Sequence, residues 1–535
     1  MRWRPAAPWV WAATAAFVVA GWIEVVRGRW LHDEGLLTYH FAALAWSEPT
    51  ATLLLQKSRP PISALFAPFA ALGFDAFALA HVLLAAAAIP ALAAIARRLE
   101  HRWPSLPAVV LASSPLYFGA AVAGVSNSDG VALAVIATWL WFVRGRVRWG
   151  CALLGALPWV RAELAPLSAL LLLVALREHR WRALQGALAF PLGYALVGAI
   201  VHADLLWWAH FPPALPEPMA DNPYWAHHDG RIDTATIVAS LVALTPACVL
   251  AVPITRARMP AVQWAWLCFA ALELGVLLAL PRWRVFNFDL SPRYLLPVLP
   301  ALALGIGWRA QALGETDSRA ARLLEVGLLA GATVAAHAAT VAGAPPAGLV
   351  AVAVCAAVIA LARAGALGPA RALLLALLVV APWGFGDGVR LRRDREAPEL
   401  AEILARLRED PGLHERPIYT NVPLLAAAVQ REPLPLGRVH YLVQADQLHE
   451  LVALSNPDNG QRQRLLAALQ RDFYGTPVFP DALAPEQLPD DAVLVLVDDA
   501  RLSLVMPPER WDDALVVRSG SARLRIAELR SRGRR

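Results

Sequence analysis

The chain has 535 residues, of which 58% are hydrophobic, and a formal net charge of +6. This apolar fraction is above that of soluble domains, which excludes an ordinary soluble globular protein. The basic balance does not indicate a nucleic-acid partner, because the arginines recur in short clusters between apolar runs, as they do in the cytoplasmic loops of membrane proteins. The sequence therefore predicts a polytopic membrane protein with no nucleic-acid partner.

About thirteen apolar runs approach the length that crosses the roughly 30 Å hydrocarbon core of a bilayer. They are centred on 6–26, 74–96, 105–123, 130–143, 149–160, 164–176, 183–203, 234–254, 261–281, 293–308, 323–343, 347–362 and 370–386. The first run is longer than the apolar region of a signal peptide, so we expect an uncleaved first span. Residues 28–73 are interrupted by prolines and predict helices lying in the membrane interface within an outer loop.

Alternate connections between these runs are rich in arginine, and the positive-inside rule places them in the cytoplasm. The remaining connections then lie outside the membrane, including the loop that contains Asp33, the region around Asp129 and the segments 205–233 and 282–292. The two runs that flank Arg161 are short and could form one kinked helix. That alternative would place the later arginine clusters outside, so we favour two spans.

Hydropathy falls sharply after residue 388. Helices are predicted near 397–409, 446–454 and 461–471, and strands at 417–420, 439–443 and 492–497. The fold class is therefore mainly α, a transmembrane helical bundle over residues 1–388 with a small extracytoplasmic α/β domain over residues 389–535.

Charged residues inside apolar runs are the strongest functional signal. Each charge at the bilayer centre costs roughly 2.5 to 3.5 kcal/mol on insertion scales, so Arg161 and Glu163 must face protein or a wet cavity. Residues two apart do not share a helix face, which argues against a simple pair on one helix. Glu273, alone in its run, is interpreted as a buried paired acid or as a proton carrier.

Two further groups of side chains could carry chemistry. A carboxylate at Asp33 or Glu34 could accept a proton from a hydroxyl or hold a divalent cation. The outer-loop residues His32, His227, His228 and Asp229 are of the metal-binding type but have no diagnostic spacing. Cations that could bind the phosphate of a lipid-linked substrate are Lys57, Arg59, Arg161 and Arg293.

The order of motifs resembles that of the GT-C glycosyltransferases, and most closely the branch of lipid A aminoarabinose transferase and protein O-mannosyltransferase. The motifs are a charged first span, Asp33-Glu34-Gly35-Leu-Leu-Thr-Tyr39, Gln56-Lys-Ser-Arg-Pro-Pro61, Ala112-Ser-Ser-Pro-Leu116, Asp129 and Ser291-Pro-Arg-Tyr-Leu-Leu-Pro297. They cover roughly residues 1–310.

The resemblance implies inverting transfer of a sugar from a polyprenyl-phosphate donor to a lipid, glycan or protein acceptor at the extracytoplasmic face of the bacterial inner membrane. It makes Asp33 the general base or acceptor-orienting carboxylate and Asp129 a second acidic position. Arg59 falls where the family has a phosphate-binding lysine. Ser58 stands where an acid commonly precedes that lysine, which puts a metal site there in doubt.

Two other functions remain open at this point. A lipid or solute transporter could use Arg161, Glu163 and Glu273 to line a pathway, although no repeated halves are evident. A scaffold that binds a lipid-linked sugar without reacting is the second.

Overall fold

The computed structural model describes residues 8–27, 33–47, 49–54, 58–207, 259–282, 292–313, 409, 416, 418–420, 439–441, 493–498, 511–519 and 522–529. The chain divides into two compact units. The first comprises Met1–Arg27, Phe74–Leu205 and Leu215–Leu391, and the second Gly28–Gly73, Leu206–Ala214 and Arg392–Arg535. The predicted boundary at residue 388 lies outside the described residues and stays a prediction.

The described part of the first unit is helical. Its helices are α1 (Pro8–Arg27), α5 (Phe74–Arg98), α6 (Ser105–Ala112), α7 (Pro115–Val122), α8 (Ser126–Thr138), α9 (Val147–Val160), α10 (Ala165–His202), α11 (Ala261–Arg282) and α12 (Leu299–Leu313). A π-helical turn (Trp139–Val143) continues α8, and 3-10 turns precede α10 (Ala162–Leu164) and α12 (Pro292–Val298).

Two described segments, Phe74–Arg98 and Ala162–His202, are long and apolar enough to cross a membrane. The pair α6 and α7, bent by 59° at its break, would add a third span, and five more described helices are apolar but shorter. The mainly helical membrane fold is thus confirmed. The count of about thirteen spans includes runs outside the described residues and stays a prediction.

Helix α10 contains a break at Arg180, where φ is 32° and ψ is −104°. Before the break the Ser168 hydroxyl donates to the Leu154 carbonyl of α9, so this half of α10 runs antiparallel to α9. After the break, Gly186 lies against Arg148 and Trp159 contacts Phe190, so the second half runs parallel to α9. The chain therefore makes three successive passes between residues 147 and 202.

Glycine allows these passes to approach closely. A Cβ at Gly155 would lie 2.2 Å from the Ala187 carbonyl oxygen, and one at Gly186 would lie 2.4 Å from the Arg148 carbonyl oxygen. Close backbone approach through small residues is the usual way in which membrane helices pack, because lipid provides no hydrophobic drive for their association.

The second unit contains α2 (Asp33–Ser47), α3 (Pro49–Leu53) and α4 (Pro60–Ala70). The buried faces of α2 and α4 include Phe41, Leu44, Ile62 and Phe66, which are at most 5% exposed. The outer loop predicted over residues 28–73 is thus helical in its described part. Pro49, Pro60 and Pro61 lie in the first turns of α3 and α4, where the missing N–H is tolerated, whereas Pro68 lies inside α4.

The same unit contains one five-stranded sheet among its described residues, with the order β2-β1-β3-β5-β4. The strands are β1 (Ile418–Thr420), β2 (Val439–Tyr441), β3 (Val493–Asp498), β4 (Trp511–Ser519) and β5 (Ala522–Leu529). β1 pairs in parallel with β2 and β3, whereas β5 is antiparallel to β3 and β4. Three strands match predicted positions. The hairpin β4–β5 was not predicted, and the predicted helices near 397–409, 446–454 and 461–471 lie almost entirely outside the described residues, so the α/β assignment stays a prediction.

Candidate functional site

Arg161 occupies the junction between α9 and the 3-10 turn, in an extended conformation with φ −154° and ψ 126°. Arg161 as a whole is 8% exposed. The Nε atom donates to Glu163 Oε1 at 2.5 Å. Although residues two apart cannot share a helix face, the break in the helix at Arg161 allows the two side chains to meet. The guanidinium is therefore buried but neutralised by a neighbouring carboxylate.

The first turn of α8 provides further partners for this ion pair. Arg161 Nη1 donates to the Ser126 hydroxyl at 3.2 Å, and Asn127 Nδ2 donates to Glu163 Oε1 at 3.2 Å. A Cβ on Gly130 would lie 2.6 Å from a Leu164 methyl and 3.6 Å from the Arg161 Cγ atom. The absence of a side chain at Gly130 therefore lets the Leu164 methyl lie against α8, next to the Arg161 stem.

Tyr294 connects Arg161 to Arg293. The guanidinium carbon of Arg161 lies 5.5 Å from the centre of the Tyr294 ring, and that of Arg293 lies 5.2 Å from it. Arg293 Nη2 also donates to the Tyr294 hydroxyl at 3.5 Å. Cations at these distances are attracted by the ring quadrupole, an interaction that strengthens when the groups are desolvated. Two of the four predicted phosphate-binding cations thus lie around one aromatic ring.

Glu273 of α11 is 5% exposed and interacts electrostatically with both Glu163 and Arg161. One buried arginine therefore lies near two acids. This arrangement agrees with the interpretation of Glu273 as a buried acid with a charged neighbour.

Asp129, in the first turn of α8, is fully buried and lies beside His81 of α5, with 2.8 Å between Asp129 Oδ1 and His81 Nδ1. The His81 ring is also packed edge-on against Phe77, with 4.3 Å between the ring centres. Asp129 is two residues from Asn127, so the same helical turn contacts His81 on one side and Glu163 on the other. Its predicted catalytic role stays a prediction.

In the second unit, Glu34 and Arg59 form an ion pair of 2.6 Å between Oε1 and Nη1. Glu34 is buried, and the Arg59 side chain is 23% exposed. Arg59 Nη1 also lies 3.4 Å from the Thr38 hydroxyl. Burial raises the pKa of Tyr39, so that hydroxyl stays protonated at neutral pH. The first-loop acid Glu34 is thus a partner of the predicted phosphate-binding Arg59.

Arg59 has a left-handed backbone, with φ 54° and ψ 68°, immediately before α4. A residue other than glycine rarely adopts this conformation, and it costs on the order of 1 to 3 kcal/mol where the surroundings hold it. The Arg59 carbonyl accepts the first hydrogen bonds of α4, from Ile62 and Ser63. Ser58, at the position where the family commonly has an acid, is buried, and its carbonyl accepts from the Ser63 hydroxyl.

The side chains of the predicted site residues Lys57 and Asp33 are not described. Lys57 lies outside the described residues. The outer-loop residues of the metal-binding type, His32, His227, His228 and Asp229, also lie outside them. Asp33 begins α2, but its side chain is not described. Within the described ranges, no group of three or more His, Cys, Asp or Glu side chains is arranged to hold a metal ion.

The group around Arg161 and the arginine-rich turns lie at opposite ends of the first unit. Helix α8 begins at Ser126 beside Arg161, and its π-helical extension ends at Val143, so the two ends are separated by roughly 27 Å. Helix α9 runs back from the Arg144–Arg146 turn to Arg161. The predicted functional end and the predicted cytoplasmic end are therefore distinct.

Sequence reasoning missed His81, Ser126 and Asn127. A lone histidine within an apolar helix carries no periodic signal. The run Ser126-Asn-Ser-Asp129 at the head of an apolar span was a usable signal, because four consecutive polar residues entering the membrane require partners in the protein.

No protein-family model matches the sequence, and no curated protein sequence is similar to it. Two solved structures share its fold. The crystal structure of ArnT from Cupriavidus metallidurans bound to undecaprenyl phosphate has a TM-score of 0.60 and 14% identity, covering 97% of this chain and 98% of that chain. The apo structure of the same protein has a TM-score of 0.57 and 14% identity, covering 96% and 97%. The resemblance predicted from motif order is confirmed: the chain has the fold of ArnT, the lipid A aminoarabinose transferase of the GT-C glycosyltransferases.

Proposed function

We propose that the chain is an integral membrane glycosyltransferase that moves a sugar, with inversion, from a polyprenyl-phosphate donor to a lipid, glycan or protein acceptor. The observation that carries the proposal is the buried Arg161, held by Glu163, Ser126 and Tyr294 in a fold shared with a protein that binds undecaprenyl phosphate. Burying a guanidinium group in a membrane protein costs free energy, so such a residue is a candidate for a functional site. Binding of the donor phosphate would be that function.

The donor phosphate is the group that Arg161 and Arg293 would bind. When the acceptor oxygen attacks the anomeric carbon, the bond from that carbon to the donor oxygen breaks, and the phosphate leaves with an additional negative charge. Guanidinium groups suit this task because their planar fork can make two parallel hydrogen bonds to phosphate oxygens. Lys57 and Arg59 are proposed to make further phosphate contacts.

The acceptor must lose a proton as its oxygen attacks. Asp33 is proposed to accept this proton, a role that requires a carboxylate able to reach the acceptor hydroxyl. Glu34, which forms an ion pair with Arg59, is proposed to hold that arginine in place. Asp129, in contact with His81, is proposed to be the second acidic residue of the site, as the resemblance implies.

The proposed location is the bacterial inner membrane, with the reaction at the extracytoplasmic face. It is supported by the separation of the Arg161 end from the arginine-rich turns, which the positive-inside rule assigns to the cytoplasm. The sheet-containing residues 389–535 would then form an extracytoplasmic α/β domain.

Glu273 favours a second candidate, a transporter. A buried acid that interacts with Arg161 and Glu163 could carry a proton through the membrane. This candidate predicts substrate flux without any glycosyl product, so a single assay separates the two functions.

The test is a transfer assay with purified protein in detergent, where no gradient exists, using a panel of polyprenyl-phosphate sugars. We expect product with the wild type and a loss of about 10²- to 10⁴-fold in the Asp33→Asn variant, the range typical of a missing general base. A matched control is Asp75→Asn, which changes another carboxylate in the first turn of a helix. Near-wild-type turnover in Asp33→Asn would remove the proposed base, and absence of product with every donor and acceptor would favour the transporter.

A further inference from the structure

A second basic surface lies at the end of the first unit that is remote from Arg161. It is formed by the turn between α8 and α9 and by the break inside α10. We call it the arginine surface, and it comprises Arg146, Arg148, Trp149, Arg177, Arg180, Trp181 and Arg182. All seven residues are exposed.

The two turns are adjacent in space. A Cβ at Gly186 would lie 2.4 Å from the Arg148 carbonyl oxygen and 2.9 Å from the Cys151 Cβ. Gly150 in turn lies against Ala137 and Trp141 at the end of α8. The start of α9 is therefore enclosed by the end of α8 and the second half of α10, which brings both sets of arginines to one end of the unit.

These arginines form no described ion pair. The acid in the break, Glu178, lies 3.8 Å from His179 instead. Arg144, next in the first turn, lies over the Trp139 ring at 5.5 Å, and Arg98 lies over the Phe142 ring at 5.7 Å. The neighbouring arginines are thus held by aromatic rings, whereas the five arginines of the arginine surface point their charge outward.

The backbone at Arg180 supports a functional interpretation. Its φ of 32° lies in the left-handed region, which a side chain other than glycine rarely adopts. The conformation reverses the chain so that Arg177, Arg180 and Arg182 share one turn. A glycine would adopt this backbone conformation with less strain than an arginine.

The two exposed tryptophans of the arginine surface indicate a lipid environment. Trp149 is 71% exposed and Trp181 is 74% exposed, each next to an arginine in sequence. An indole ring that lies bare beside guanidinium groups is unfavourable in bulk water but suits the headgroup level of a bilayer, where one side is apolar and the other wet. This composition is the one expected of a protein surface at the headgroup level.

We propose that the arginine surface binds the phosphate groups of anionic lipids in the adjacent leaflet. Five exposed guanidinium groups, which form no ion pair with the described residues, offer bidentate contacts to phosphodiester oxygens, and the two indoles anchor between the acyl chains and the headgroups. The surface lies at the opposite end of α8 and α9 from Arg161, so it is separate from the proposed donor site. Its function is to fix the depth and tilt of α9 and α10, the helices between which Arg161 lies.

The test uses the full chain, purified and reconstituted in nanodiscs with mixtures of phosphatidylglycerol and phosphatidylcholine. Native mass spectrometry of the released protein counts the retained lipids. The wild type should retain phosphatidylglycerol in preference to phosphatidylcholine, and added salt should weaken that preference. Equal retention of the two lipids by the wild type would overturn the proposal whatever the variants do.

Variants locate the surface. Replacement of Arg177, Arg180 and Arg182 by Gln should weaken phosphatidylglycerol retention by about 100-fold, because each of the three basic residues near an anionic surface contributes roughly fivefold. The triple replacement by Lys should retain most of the preference. The matched control replaces Arg532, Arg534 and Arg535 by Gln, which changes the net charge equally.

If the proposal is correct, the Arg177, Arg180 and Arg182 variant loses phosphatidylglycerol retention and the control variant keeps it. Equal loss in both would mean that net charge alone attracts the lipid and would overturn the assignment to this surface. If the Arg177, Arg180 and Arg182 variant does not fold, Trp181→Phe in the wild-type background is the second variant. Its fluorescence difference from the wild type should be quenched more by brominated phosphatidylglycerol than by brominated phosphatidylcholine, and equal quenching would contradict the proposal.

Discussion

Replacing Gly155 by Ala should destabilise the packing of α9 against the second half of α10. The added Cβ would lie 2.2 Å from the Ala187 carbonyl oxygen and 3.0 Å from its carbonyl carbon. Both atoms belong to the backbone, so no side chain can rotate away. The two helices must separate by about 1 Å, and overpacking of this kind costs about 1 to 3 kcal/mol of unfolding free energy.

Gly193 provides the matched control, because it lies in the same half of α10 and a Cβ there would meet nothing within 4 Å. Gly193→Ala should leave the unfolding free energy unchanged or raise it by up to about 1 kcal/mol, since alanine reduces the backbone entropy of the unfolded chain. The measurement is unfolding of both variants in the same detergent, monitored by near-UV circular dichroism. Equal stability of the two variants would refute the close approach of α9 to α10.

Three further predictions concern buried polar groups. Glu163→Gln should lower the unfolding free energy by about 2 kcal/mol, between the values for exposed and fully buried pairs, because Arg161 loses its charged partner; an unchanged denaturation midpoint would contradict this. His81→Phe should lower the unfolding free energy by about 1 to 3 kcal/mol, because it removes the hydrogen bond to Asp129. His81→Asn should recover part of that loss, and equal losses in the two variants would contradict the prediction. Burial lowers the pKa of His101 to about 4, so the unfolded state takes up the proton first and stability should fall as pH drops from about 6.5 towards 4, by up to about 3 kcal/mol; His101→Gln should flatten this slope in thermal unfolding, and a slope equal to that of the wild type would show that another group titrates.

The helical part of the fold could be predicted because apolar runs and proline positions determine it locally. The strands β1, β2 and β3 were predicted for the same reason, as short apolar runs. The hairpin of β4 and β5 was missed, although Arg523, Leu524, Arg525 and Ile526 alternate between charged and apolar residues as in a half-buried strand. Its signal was the two-residue connection of Gly520 and Ser521, which is typical of a tight hairpin turn.

The candidate site could be predicted only in part, because its contacts are not local. The sequence identified Arg161 from the cost of a buried charge, but the helix break that lets it pair with Glu163 depends on tertiary packing. The contact between His81 and Asp129 joins residues 48 apart in sequence. The ion pair between Glu34 and Arg59 joins residues 25 apart and could not be predicted from sequence spacing. Our proposal therefore has Glu34 hold Arg59 in place, whereas the sequence alone suggested a reacting carboxylate.

The central claim is that Arg161 binds the phosphate of a polyprenyl-phosphate donor, and a direct binding measurement tests it without requiring the sugar or the acceptor. Purified wild-type protein and Arg161→Ala would be titrated with undecaprenyl phosphate in detergent, with Arg532→Ala as the control for loss of one charge. A charge-assisted contact of about 1.5 to 3 kcal/mol predicts that Arg161→Ala raises the dissociation constant by roughly 10- to 150-fold while the control binds as the wild type does. Equal affinity of wild type and Arg161→Ala, or no saturable binding by the wild type, would contradict the claim.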